Sequence, residues 1–175
     1  MADTKISALT TDSTPDRAAD FSPTYDASAV GNKKVALQDF GGYVLMAYAT
    51  SGSAGVAPAD ATTYYFTPAA SFGLSATAGN QKLIIPRTGV IRKIYIDGNC
   101  TVGSSETSTF SLRLNNTTDT TITSTAVFNA TPFSFSNTAL TIAVTAGDAI
   151  NIKWVSPTWV TNPTALSMWA VIWVA

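Results

Sequence analysis

From residue 62 onward, apolar and polar residues alternate with a period of two in short runs separated by Gly, Asn, Asp, Pro and Ser. Eight such runs are rich in β-branched and aromatic residues: 62–67, 82–86, 90–98, 109–115, 120–128, 139–145, 149–155 and 165–174. Phe110, Leu112 and Leu114 share one parity and Ser111, Arg113 and Asn115 the other, so that strand has one core face and one wet face. No stretch has a helical period of ordinary length. Short alternating strands with turn residues between them predict an all-β protein, an antiparallel β-sandwich (jelly roll) of about eight strands. Between 145 and 150, TAGDAI places Gly147 and Asp148 where a tight hairpin needs positive φ and a self-bonding side chain.

The first forty residues lack this pattern. Ile6, Leu9, Phe21, Tyr25, Val30, Val35, Leu37 and Phe40 are scattered with no sustained period, and such a segment cannot bury enough surface to fold alone. The expectation is therefore an extended N-terminal anchoring arm at 1–42 and a connecting strand and linker at 43–61. A sandwich head follows at 62–175. VLMAYAT at 44–50 is apolar, and SGSAGVAPADA at 51–61 is built of small, Gly and Pro residues.

The final run, LSMWAVIWVA, is apolar on both faces. Met168, Ala170, Ile172 and Val174 share one parity, and Trp169, Val171 and Trp173 the other. A two-layer sandwich covers one face only. An exposed Trp forgoes burial of about 200 Å², roughly 5 kcal/mol as an upper bound. A subunit interface through Met168, Trp169, Ile172 and Trp173 is one cover; the other is the arm or segment 43–50 folding back over Trp169 and Trp173.

Composition sharpens this picture. Of 175 residues, 46% are apolar and only 12% charged, half the share an ordinary free surface carries, so much of the surface is expected to face protein. A net charge of −1, with Lys and Arg dispersed, provides no basic footprint for nucleic acid. No apolar run is long enough to span a membrane as a helix, and MADTKISAL has no signal-peptide core, so neither a membrane partner nor secretion is expected.

Candidate chemistry is sparse. The chain has no histidine, which excludes Ser-His-Asp, Cys-His and His-metal sites. Asp60, Asp97, Glu106, Asp119 and Asp148 all fall in loops or at strand ends, where turn chemistry accounts for them. Asp97, Asn99 and Glu106 match no calcium ligand loop. The lone Cys100 reads as a small half-buried thiol. No enzyme activity, cofactor or metal is expected. The loop WVSPTWVTNPT at 154–164 carries Trp154, Trp159 and Asn162 beside two prolines. It reads either as a platform on which a sugar ring or a peptide stacks, or with Trp159 as a cap on the open end of the sandwich.

Two segments carry a resemblance. KISAL at 5–9 and GNKKVALQDF at 31–40 are similar to the N-terminal segment of tailed-bacteriophage virion proteins: head fibres, decoration proteins, and tail-fibre or adaptor subunits. The resemblance implies a structural protein at the virion surface, assembled in the host cytoplasm. Its arm would dock on a capsid or tail protein through Ile6, Leu9, Val35, Leu37 and Phe40. The C-terminal strand resembles that of trimeric jelly-roll heads of the C1q and tumour-necrosis-factor type, where it lies near the threefold axis. That implies a homotrimer. A receptor-binding tip recognising a host surface glycan, or a non-viral lectin-like sandwich, are the alternative roles.

Overall fold

In the computed structural model, the described residues are 21–26, 31–36, 42–49, 57–66, 74–101, 103–129 and 131–175. They fall into two compact units, Met1–Gly42 and Tyr43–Ala175.

In the first unit β1 (Phe21–Asp26) pairs antiparallel with β2 (Gly31–Ala36), with Phe21 opposite Ala36 and Asp26 opposite Gly31. The pairing adds structure to a segment read only as an extended arm. Pro23, opposite Lys34, is tolerated because in a two-stranded sheet both strands are edges and a missing N–H can face outward.

The second unit is a sandwich of two five-stranded antiparallel sheets. β3 (Tyr43–Ala49), β12 (Thr164–Val174) and β6 (Gly89–Thr101) lie side by side in the first sheet. β9 (Phe133–Asn137) and β10 (Ile142–Val144) share the far edge of β6. In the second sheet β8 (Thr118–Val127), β7 (Thr107–Leu114) and β11 (Ala149–Val155) follow one another. β4 (Thr63–Phe66) and β5 (Leu83–Ile84) share the far edge of β11. All eight strand runs read from the alternation contain a strand. β3, read as a connector, is an edge strand paired with β12 from Tyr43 opposite Val174 to Ala49 opposite Met168.

The alternation decides the core. Ile91, Ile94 and Ile96 of β6 point inward with Leu166, Met168, Ala170, Ile172 and Val174 of β12. Ile91 and Ile94 are three apart because the register with β12 slips at Arg92, a bulge that restores the inward parity. From the second sheet come Phe110, Leu112, Ile150, Ile152 and Trp154. Phe110 stacks on Trp154 with ring centroids 5.7 Å apart and planes within 8°, and Phe128 lies 5.5 Å from Trp154. Between β10 and β11, Gly147 adopts φ +94° and the Asp148 carboxylate accepts the Thr145 N–H at 2.7 Å, so TAGDAI does form a tight turn, but β10 and β11 belong to different sheets and the turn joins the two layers instead of closing the expected hairpin.

Candidate interaction surface

β12 sorts its residues by parity, and the four expected interface residues divide. Met168 and Ile172 are fully buried between the sheets, so neither is free to meet another subunit, which corrects that part of the expectation. Trp169 and Trp173 lie on the outer face, the first half-buried and the second 38% exposed.

That outer face is apolar across three strands. Trp173 sits opposite Val44 of β3 on one side and Lys93 of β6 on the other. Val171 sits between Met46 and Tyr95 in the next row. Val44, Met46 and Tyr95 are 49%, 55% and 38% exposed. Within Tyr43–Ala175 neither Trp is covered by segment 43–49, because β3 lies beside β12 in the same sheet rather than over it. Lys93 and Asp97 stand at opposite ends of the apolar strip, with Tyr95 between them on the same face of β6. Sequence parity picks out Trp173 and Val171. Val44 and Met46 escape it because the sequence marks 43–50 only as a connecting strand and gives it no partner in a sheet.

The loop platform is not formed. Trp154 is wholly buried in the aromatic stack, and Trp159 is 6% exposed, its ring 5.9 Å from Phe128 and tilted edge-on. Trp159 closes the end of the sandwich, which is the capping alternative. Asn162 is spent on structure: its Nδ2 donates to the Pro58 carbonyl at 2.8 Å and to Asp60 Oδ1 at 3.3 Å. Asp60 also accepts the Trp159 N–H at 3.1 Å. The rest of the loop is pinned by Glu106, whose carboxylate accepts the Ser104 hydroxyl and the Val160 N–H, the latter at 3.2 Å. The Ser104 bond above all holds the Glu106 carboxyl below its ordinary range.

The remaining acids serve turns and ion pairs. Asp119 bridges Arg113 Nη1 at 2.8 Å and Lys153 Nζ at 2.6 Å on the outer face of the second sheet. Burial raises its pKa, but the bonds from Lys153 and Arg113 outweigh that and leave it lowered. Cys100 is buried, and burial pushes its thiol up. No cluster of three or more Cys, Asp or Glu side chains occurs among the described residues. Of the proposed docking residues, Val35 lies in β2 opposite Ser22, while Ile6, Leu9, Leu37 and Phe40 lie outside the described residues.

A further feature lies on the outer face of the first sheet. Where β9 meets β6, Asp97, Gly98, Pro132, Phe133, Ser134 and Trp169 line an open hollow of about 330 Å³. Trp169 pairs with Asp97 across the β12–β6 ladder, and Asp97 with Ser134 across the β6–β9 ladder, so the three form one cross-strand row. Gly98 is required there. A Cβ at that position would strike the Ser167 carbonyl oxygen and come within 2.5 Å of the Phe133 ring. The row was hidden because β9, five residues inside a Thr- and Ser-rich stretch, was not read as a strand.

No protein-family model matches the chain, and no curated protein matches it. Among solved structures it is similar to the Eiger TNF from S. frugiperda, at 15% identity and a TM-score of 0.40, over 75% of this chain and 93% of that one. The two antiparallel sheets and their strand order make the 43–175 unit an all-β sandwich of the jelly-roll kind.

Proposed function

We infer that this chain is a non-enzymatic structural protein of a tailed-bacteriophage virion. Residues 1–42 hold it on a capsid or tail protein, and residues 43–175 are displayed at the particle surface as a homotrimeric head. The observation that carries the reading is the outer face of β3, β12 and β6. Val44, Met46, Tyr95, Val171 and Trp173 make an apolar strip, a composition suited to contact with further copies of the same chain. Covering the exposed part of Trp173 alone contributes about 2 kcal/mol per subunit. The KISAL and GNKKVALQDF segments support the virion assignment, and the 12% charge supports a surface engaged with protein. Ordering an arm costs about 1–2 kcal/mol per residue in backbone entropy, so docking must gain side-chain burial or added strand pairing.

Light scattering on the full chain and on residues 43–175 tests the reading. Both are expected at trimer mass, with Trp173→Asp reducing the mass to that of one chain. Particles lacking this protein should rebind the full chain and not residues 43–175. A wild-type monomer would overturn the interface, and arm-independent rebinding would overturn the anchoring role.

A further inference from the structure

Three groups in the β6–β9–β12 row stand open together: the Trp169 indole, the Asp97 carboxylate and the Ser134 hydroxyl. Asp97 is half-buried, and neither it nor Ser134 makes a side-chain hydrogen bond or ion pair among the described residues. Every other acid discussed above is engaged: Asp60 by Trp159 and Asn162, Glu106 by Ser104 and Val160, Asp119 by Arg113 and Lys153, and Asp148 by Thr145 and Asn115. An idle carboxylate in an apolar hollow leaves its acceptor capacity to a ligand.

We propose that this hollow is a carbohydrate-binding site for a single neutral pyranose unit. A pyranose presents a flat face of C–H groups and a rim of hydroxyls. The indole takes the face, the carboxylate accepts two adjacent hydroxyls, and the serine hydroxyl completes the rim. A volume of about 330 Å³ is at the small end of ligand sites, the size of one ring rather than a chain. An organic ammonium, the other ligand that suits an indole beside a carboxylate, calls for several open aromatic walls. Here there is one. Phe133 lies in the lining but is 6% exposed, stacked on Phe135 at 5.3 Å and edge-on to Phe128 at 4.9 Å, so its faces are already occupied. A single free platform fits a ring that stacks on one side. The site lies at the Asp97 end of the apolar strip, opposite the Trp173 end, and does not depend on the anchoring reading.

The test is saturation-transfer NMR on the full chain with the methyl glycosides of glucose, galactose, mannose and N-acetylglucosamine, and with tetramethylammonium as the competing probe. At least one glycoside should receive saturation at its ring C–H protons. Affinity should fall about tenfold or more in Asp97→Asn and in Trp169→Ala. Asp97→Asn preserves shape, and its light-scattering mass should equal that of the wild type, which separates loss of the site from loss of the oligomer. No transfer to any glycoside, transfer undiminished in both variants, or transfer to tetramethylammonium alone would overturn the proposal.

Discussion

Trp154 and Trp159 show how a side chain's role follows from what occupies its faces. Trp154 shares parity with Ile150 and Ile152, and all three are buried; the alternation alone was enough to place it in the core. Its nearness to an aromatic, proline-bearing loop suggested otherwise. Trp154→Ala is expected to cost about 3–5 kcal/mol in urea denaturation, the range for deleting a large buried aromatic. Gly98→Ala should also destabilise, because its new methyl meets a backbone carbonyl that cannot move without breaking the β6–β12 ladder. Gly147→Ala has open space but a strained φ of +94°, so a smaller loss of about 1 kcal/mol is expected. Asp119, Glu106 and Asp148 all have lowered folded-state pKa values. Their stabilisation is complete above the unfolded carboxylate value, about 4, and is lost as pH falls through the lower folded values. Asp119→Asn should flatten the acid limb of a stability-versus-pH curve and leave the neutral region's slope unchanged. A slope unchanged in the acid limb would mean that the ion pairs with Arg113 and Lys153 do not persist in solution.

At the scale of elements, legibility tracked run length and charge contrast. β6, β7, β11 and β12 have clear alternation and were placed from sequence within a few residues. β9 was missed, although PFSFSN alternates, because Ser and Thr fill both parities around it. β1 is obscured by Pro23, which interrupts an already short run, and β2 by its sequence GNKKVA, in which Val35 is the only large apolar residue. For β12 the sequence distinguishes two apolar faces without saying which one is outward; that depends on where the second sheet lies. The distinction yields a paired experiment. Met168→Ala, inside, should cost about 2–5 kcal/mol of stability. The double change Val44→Lys and Met46→Lys, outside, should leave stability within about 0.5 kcal/mol while lowering the oligomer mass. Equal destabilisation by both would contradict the assignment of faces.

Over the whole molecule, the division at Gly42 separates a segment without a sustained period from one with a closed core. Residues 43–175 are therefore expected to unfold with the same thermal midpoint as the corresponding transition of the full chain, measured by calorimetry at matched concentration. A lower midpoint would show that residues 1–42 contribute to the sandwich. The candidate carbohydrate row was illegible at this scale for a simple reason: it joins residues 97, 134 and 169, whose association requires β9 to be recognised first.

The antiparallel pairing of β3 with β12 also fixes how the head bears load. Tension passing through residues 1–42 enters the sandwich at Tyr43, which sits opposite Val174, beside the bonds that tie Ala175 to Val90. Pulled against the C-terminus, β3 would peel from β12 one hydrogen bond at a time. Pulled against the loop at 157–163, at the other end of β12, all seven paired positions from Tyr43 to Ala49 would resist together in shear. A head gripped at that far end is the mechanically strong arrangement, and one gripped beside Ala175 is the weak one.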